Sequence, residues 1–306
     1  MLALQSTTTA PYLELAEAAE PAPRSDEALV AVGAFSLNRG EVLDLPQTPP
    51  GTVAGWDLAG VVERAAADGS GPSAGARVVG LVPAGAWAQF AAVPTDSLAV
   101  IPKQVPDEQA ATLPTAGLTA LCALEAAGLV LGKRVLVTGA TGGVGRMAIQ
   151  LARESGARVT ALVRDAAASQ EALERLGAAE VTEEMSGDFD VVVDAVGGST
   201  FGLAIEHLRP HGVLVNLATL EPAETVSFRA ARFDRAKGAR IYTLNLRDEL
   251  AAAGRTAEGL ERLCALVVAG RLDGQIELEA SWREHEAALA ALLERRIGGK
   301  AVLHVD

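Results

Sequence analysis

The stretch from Arg134 to Arg164, RVLVTGATGGVGRMAIQLARESGARVTALVR, limits this chain to a small set of folds. Arg134 to Thr138 is a short aliphatic run, and Gly139, Gly142, Gly143 and Gly145 crowd the turn after it. Val144 to Arg153 then carries a helical pattern that Gly156 stops, and Arg158 to Val163 reads as a second strand. Strand, glycine turn, helix and strand make a βαβ unit, which commits the chain to parallel pairing because parallel strands need a crossover. A glycine turn in that place lets backbone approach a pyrophosphate, and the helix N-terminus adds positive potential.

The turn reads Ala140-x-Gly142-x-x-Gly145, with alanine in the first position of the usual glycine pattern. Ala140, Thr141, Gly142, Gly143 and Val144 are therefore the expected backbone contacts of a dinucleotide. At the end of the second strand an acidic residue would bind the ribose 2′-hydroxyl of NAD. Arg164 stands there instead, and its planar cation suits a 2′-phosphate, so the expected cofactor is NADPH (NADP). Asp165 follows directly and keeps NAD as the rival reading.

At 306 residues the chain is longer than one core usually supports, so two lobes are expected. Twenty-six basic against thirty-nine acidic side chains give a net charge of −13, which opposes extended contact with nucleic acid or anionic lipid. Small molecules and other protein chains are the expected partners. The first twenty residues show neither a basic n-region nor a long apolar stretch, which predicts a cytoplasmic protein with no membrane contact. Two distant cysteines, Cys122 and Cys264, exclude a disulfide framework or a cysteine zinc site and read as small buried thiols. Aromatic content is only 4%, so the interior must be built from Ala, Val and Leu.

Residues 1 to 110 read as β-rich, with strands at Tyr12 to Ala16, Glu27 to Ala34, Gly60 to Glu63, Arg77 to Leu81 and Trp87 to Val93. Pro46 to Gly51 and Ala67 to Gly75 are loops. Asp107 to Leu131 turns helical. From Arg134 onward strand and helix alternate, with strands at Phe189 to Asp194, Gly212 to Leu217 and Arg240 to Leu244 and a helix at Phe201 to Leu208. Such alternation gives a doubly wound parallel sheet whose ligands lie at the carboxyl ends of the strands. This adds Ala195, Val196, Leu217, Ala218, Tyr242 and Leu244 to the candidate cofactor contacts. A helix at Ala257 to Val268, capped by Thr256, precedes a strand at Gln275 to Leu278, a helix at Arg283 to Arg295 and a strand at Ala301 to Val305. These last elements break the βα pattern and are expected to rejoin the N-terminal lobe.

Several ordered motifs carry a family resemblance: Ser36-Leu37-Asn38, PGTVAGWDLAGVV at Pro50 to Val62, GARVVGL at Gly75 to Leu81 and GAWAQFAAVP at Gly85 to Pro94. LPTAGLTAL at Leu113 to Leu121, the glycine turn, DFDVVVDAVGG at Asp188 to Gly198 and GGKAVL at Gly298 to Leu303 continue it. The chain resembles the zinc-independent quinone oxidoreductase group (zeta-crystallin-like) of the medium-chain dehydrogenase/reductase superfamily over almost its whole length. The resemblance implies an α/β protein with a discontinuous GroES-like β-rich catalytic domain, residues 1–117 and 266–306. It implies a Rossmann doubly wound parallel-sheet domain at 118–265, a substrate cleft between the two, and a homodimer paired through the last Rossmann strand near Ala239 to Leu244.

Zinc-dependent relatives place a cysteine near Leu37 and Gly-His-Glu where this chain has Gly55-Trp56-Asp57, so no metal is expected here. The tyrosine that often follows the asparagine is replaced by Arg39-Gly40-Glu41. Thr119 corresponds to a threonine packed on the nicotinamide; capture of its hydroxyl by helix backbone is the alternative. Asn38 is the leading catalytic candidate, beside the nicotinamide ribose or substrate carbonyl, against a turn asparagine closing a strand. Ser36 is a second. Lys300, Arg295 and Arg296 resemble a basic site that reaches the 2′-phosphate in some relatives, and cations at a helix end explain them equally. Tyr242 also fits a core or interface role. Of the four histidines, none falls on a motif, and His207 and His285 read as helix-surface residues.

The expected activity is NADPH-dependent hydride transfer, without zinc, to a quinone or an α,β-unsaturated carbonyl compound. A biosynthetic enoyl or enone reductase with a dedicated substrate and a non-catalytic NADPH-binding regulator are the alternatives.

Overall fold

The computed structural model describes residues 1–218 and 224–306. The chain begins with β1 (Leu2–Ser6), β2 (Leu13–Glu17), β3 (Glu27–Leu37), the short helix α1 (Arg39–Asp44), β4 (Asp57–Arg64), β5 (Arg77–Leu81), β6 (Phe90–Pro94) and β7 (Leu98–Val100). Helix α2 (Asp107–Ala111), a π-helical turn at Leu113–Gly117 and α3 (Leu118–Ala127) follow. The alternating part runs β8 (Arg134–Thr138), α4 (Gly143–Glu154), β9 (Arg158–Leu162), α5 (Ala166–Leu176), β10 (Ala178–Thr182), β11 (Phe189–Asp194), α6 (Gly198–Glu206) and β12 (Leu208–Asn216). It continues through α7 (Ala230–Phe233), β13 (Arg240–Thr243) and α8 (Leu246–Ala253). The last elements are α9 (Thr256–Val268), β14 (Ile276–Ser281), α10 (His285–Leu293) and β15 (Lys300–His304).

Two compact units result, one from Met1–Leu118 with Ala253–Asp306, the other from Thr119–Ala252. The second unit is a six-stranded sheet in the order β10-β9-β8-β11-β12-β13, parallel throughout. Strand order reverses between β8 and β11, the switch at which doubly wound sheets open a crevice. The first unit holds the sheet β14-β15-β3-β4-β5-β7 with β6 paired to β3, beside a separate β1-β2 ribbon. Strand β15 joins β3 antiparallel, so the last strand of the chain completes a sheet begun by its earliest segments.

Both interiors are aliphatic, as the composition predicts. Leu136, Phe189, Val192, Ile205 and Leu214 pack one core of the parallel-sheet unit. In the β-rich unit Phe35 stacks on fully buried Trp87 with ring centroids 5.5 Å apart.

Several expectations shift. Thr256 is the first helical residue of α9 and Arg255 the cap, because the Thr256 side chain is buried. The strand expected from Trp87 begins at Phe90, since Trp87 is drawn into the core. Helix α6 stops at Glu206, and Leu208 opens β12. Helix α9 belongs to the β-rich unit, although the expected boundary lay at residues 265 and 266. It packs on β5 and β7, and Leu263 lies against Gly117. His285 is buried and bonds the Trp282 carbonyl through Nδ1 at 3.0 Å, contrary to a surface role.

Gly60 marks the tightest strand contact, where an added Cβ would lie 2.1 Å from the Ala31 carbonyl oxygen of β3. Gly60→Ala must push β3 and β4 apart and is expected to cost about 1–3 kcal/mol, read as a lowered urea midpoint.

Candidate active site

Three neighbouring strands, β15, β3 and β4, bring a polar cluster together inside the β-rich unit. Pairing of Ala301 with Leu37 sets Lys300 beside the end of β3, and β4 approaches from the other side with Asp57 at its start. The Asp57 side chain has no exposed surface. Its Oδ1 accepts from the Thr115 backbone N–H at 3.0 Å and the Thr115 hydroxyl at 2.5 Å. Its Oδ2 accepts from Ser36 Oγ and Asn38 Nδ2, both at 2.8 Å. Lys300 Nζ lies 3.7 Å from the same oxygen and donates to Leu37 O at 3.1 Å and Asn38 Oδ1 at 2.5 Å.

Asn38 precedes α1, and Glu41 in the first turn of that helix reaches back to it. Glu41 Oε1 accepts from the Asn38 backbone N–H at 2.7 Å and from Nδ2 at 3.0 Å, while Oε2 accepts from Trp56 N–H at 2.9 Å. The amide orientation follows from its neighbours: two side-chain carboxyl groups face the nitrogen and an ammonium faces the oxygen. Both Nδ2 hydrogens are therefore engaged within the cluster. Ser36 is fully buried with its hydroxyl given to Asp57, so it supports that carboxylate and cannot meet a substrate, a correction to its candidacy. Lys300, likewise buried, does not extend toward solvent as the basic residue of a phosphate site.

Burial, then the nearby Asp57 charge, pushes the Glu41 carboxyl well above the usual range, against Lys300 and the Asn38 donors. Burial also holds the Lys300 ammonium below its usual value, with Asp57 and Glu41 opposing.

The donor set does not fit zinc. Trp56 offers no ligand atom, Gly55 before it sits at φ +102° against Trp87, and Asp57 is saturated by its four hydrogen bonds. Among the described residues no three His, Cys, Asp or Glu side chains converge to hold a metal ion.

In the parallel-sheet unit the carboxyl ends of the strands carry the glycine turn. Gly139 takes φ +59°, and Gly142 caps α4 at the exposed tip. A Cβ on Gly145 would lie 2.4 Å from Gly139 O and 2.7 Å from Ala140 Cα, so only glycine lets the helix close on the turn. Buried Arg146 bonds Thr141 O at 2.9 Å and fixes the loop from behind. Ala140 is buried, whereas Thr141, Gly143 and Val144 are half-buried around the tip.

Asp194, at the end of β11, has no exposed surface and accepts from Thr138 Oγ1 at 2.5 Å, Val196 N–H at 3.3 Å and Gly197 N–H at 3.1 Å. Thr138 Oγ1 in turn accepts from Ala195 N–H at 3.1 Å. This shapes the Ala195–Val196 loop beside Gly139 and leaves Val196 50% exposed. Leu217 N–H bonds Asp194 O, and Ala218 N–H bonds Asn216 Oδ1, so the β12 turn is tied to the same edge. Leu244 N–H bonds Asn216 O and its side chain is buried.

Arg164 is exposed just beyond β9 and forms no ion pair or hydrogen bond among the described residues. Asp165 Oδ1 caps α5 through Ala168 N–H at 2.9 Å. Thr119 is nearly buried in α3, and its hydroxyl has no hydrogen-bond partner among the described residues, so the helix backbone has not captured it. The Tyr242 hydroxyl donates to Glu249, which raises its pKa. Arg295 is exposed after α10 at φ +58°, and Arg39 donates to the α10 carbonyl of Leu293 at 3.0 Å. Cys264 is buried, with its thiol pushed up to about 11, whereas Cys122 is only half-buried.

Comparison with known proteins follows this division. Residues 24–103 match the alcohol dehydrogenase GroES-like domain family, and residues 143–258 match the family described as zinc-binding dehydrogenase. A chloroplast envelope quinone oxidoreductase homolog of Arabidopsis thaliana is 30% identical over 95% of this chain and 93% of its own length. The chain belongs to the quinone oxidoreductase group of the medium-chain dehydrogenase/reductase superfamily. The quinone oxidoreductase of Coxiella burnetii superposes with a TM-score of 0.86 at 26% identity, covering 100% of this chain and 99% of that one. This member of the quinone oxidoreductase group is also 33% identical, over 90% of its length, to the spectinabilin polyketide synthase system protein NorB of Streptomyces orinoci. It spans only 13% of that protein.

Sequence reasoning missed Glu41 and Thr115 and gave Lys300 a different role. The only local signal was Glu41, three residues after an asparagine as in a helix-capping pair. Because the folded state holds the Glu41 proton to higher pH than the unfolded chain, its contribution is complete below the usual carboxylate range and lost as pH climbs through the raised value. Glu41→Gln is expected to flatten the fall in urea-unfolding stability as pH rises above the usual carboxylate range. At the acid end it should cost about 1–2 kcal/mol, because the new amide nitrogen meets Trp56 N–H.

Proposed function

We propose that the protein is a zinc-independent, NADPH-dependent reductase that transfers hydride to a quinone or another α,β-unsaturated carbonyl compound. The observation that carries this reading is the pair at the end of β9, where Arg164 is free to meet an anion while Asp165 is turned to the α5 cap through Oδ1. A 2′-phosphate pairs with the first, and a ribose 2′-hydroxyl would have needed the second.

The glycine turn fits a dinucleotide, because Gly145 removes the one Cβ that would hold α4 off the loop. Gly142, Gly143 and Val144 offer first-turn amides to the pyrophosphate, with Ala140 and Thr141 forming the wall behind. Ala195, Val196, Leu217, Ala218 and Leu244 line the strand ends. Thr119 brings a hydroxyl that its own helix leaves free, and Tyr242 presents its ring since its hydroxyl is held by Glu249. Arg295, exposed after α10, remains a candidate phosphate contact. When bound, the nicotinamide supplies hydride for an electrophilic carbon.

The residues around Trp56 offer no Lewis acid, so negative charge on the substrate oxygen must be met by hydrogen-bond donors. No side-chain acid stands free in the β-rich cluster, which leaves water as the proton source. Membership of the quinone oxidoreductase group supports the acceptor class. The similarity to a polyketide synthase protein favours a second reading, reduction of an enoyl thioester by the same hydride step. Pairing of two copies through the outer edge of β13, where Ile241 is 43% exposed, and a cytoplasmic location complete the proposal. Among the described residues no helix is long and apolar enough to cross a membrane.

NADPH and NADH oxidation measured across quinones, enones and enoyl thioesters tests this. Wild type should prefer NADPH, and Arg164→Ala should erase roughly tenfold to a hundredfold of that preference, as expected for a charge-assisted phosphate contact. An unchanged NADPH to NADH ratio in the variant overturns the role of Arg164, and preference of the wild type for NADH overturns the cofactor. Turnover confined to enoyl thioesters selects the second reading. Sedimentation of a monomer at assay concentration removes the dimer.

A further inference from the structure

A second acid stands at the strand end that carries Arg164 and Asp165. Strand β10 pairs with β9 so that Thr182 lies opposite Leu162, and the Val163 N–H donates to Thr182 O at 2.9 Å. Glu183 therefore leaves β10 next to the point where Arg164 and Asp165 leave β9. Its Oε1 accepts from the Ala166 N–H at 2.8 Å, which draws the carboxylate across to the first residue of α5. Glu183 is exposed, and this is its one hydrogen bond among the described residues, so Oε2 is open to solvent or ligand.

These contacts set the charge that a ligand meets here. Asp165 Oδ1 takes the Ala168 N–H and Glu183 Oε1 the Ala166 N–H, so two amides in the first turn of α5 already face carboxylates. Among the described residues Arg164 forms no ion pair with either acid. Positive charge for a phosphate at this strand end thus comes from Arg164, and Glu183 subtracts from it. Like charges one strand spacing apart, about 5 Å, repel enough to change an affinity about tenfold.

We propose that Glu183 is a coenzyme-specificity residue: its carboxylate opposes a 2′-phosphate and receives a ribose 2′-hydroxyl, so that it narrows the NADPH preference that Arg164 provides. A free carboxylate oxygen accepts a hydroxyl hydrogen, whereas toward a phosphate it offers only repulsion. Arg164 and Glu183 pull in opposite directions, and the wild-type preference is the difference between them. This role rests on the proposed NADPH-dependent reductase, with the adenosine ribose at the end of β9. All the residues it needs lie in the Thr119–Ala252 unit.

Calorimetric titration of the full-length protein with NADP⁺ and with NAD⁺ tests this without turnover. Glu183→Gln removes the charge and keeps an oxygen for the Ala166 N–H, so its thermal midpoint should match the wild type. It should bind NADP⁺ about tenfold more tightly and NAD⁺ no more tightly than before, while Arg164→Ala weakens NADP⁺. Glu171→Gln, at a side chain 90% exposed on α5, serves as a charge control and should leave both affinities within about twofold. Unchanged NADP⁺ affinity in Glu183→Gln overturns the proposal, and a lowered midpoint with it leaves Glu183 a helix cap alone. An equal gain in Glu171→Gln also overturns it, since the effect is then one of net charge. If Glu183→Gln strengthens NADP⁺ binding while Arg164→Ala leaves it intact, Glu183 keeps its role and the reading of Arg164 fails. A wild type that binds neither dinucleotide removes both.

Discussion

The β-rich unit depends on the burial of one carboxylate. Taking Asp57 wholly out of water costs several kcal/mol unless its lone pairs and charge are met, and they are met from separate parts of the chain. Ser36 and Asn38 come from β3 and its end, Thr115 from the π-helical turn, and Lys300 from the start of β15. A slip in the β15-β3-β4 pairing would strand both an acid and a base in the interior. The cluster thereby penalises wrong registers far more than the aliphatic side chains around it could, because Val, Leu and Ala tolerate substitution for one another.

The parallel-sheet unit repeats the device on a smaller scale. Asp194 is also fully buried and also stands where a strand becomes a loop, and it gathers a threonine hydroxyl and two backbone amides. In each unit an acid turned inward holds a loop in place. The shape of the loops is thus set from beneath.

Much of this was legible before any coordinates. The glycine spacing, the βα alternation and the return of the last strands to the first lobe all rest on local pattern, and they reappear in the strand order of both sheets. The choice between Arg164 and Asp165 was also readable in part, because an aspartate before AAASQEALERL is a helix-cap signal. The cluster around Asp57 was not. Lys300 and Asn38 lie 262 positions apart, and their meeting follows from sheet register, which a single sequence does not specify. The exposed Arg295 and Arg296 made Lys300 look like one more surface cation, although it opens a strand and they follow a helix. Helix α1, at six residues, is too short to show any period.

The place of β15 in the sheet has a consequence for how the protein is made. Domains tend to fold as units while synthesis proceeds, but β3 lacks its β15 neighbour until the whole of Thr119–Ala252 has been translated. Through that interval Asp57 has no lysine, and one edge of β3 is an open template for other chains. The β-rich unit therefore completes its sheet last, whereas the parallel-sheet unit is contiguous in sequence.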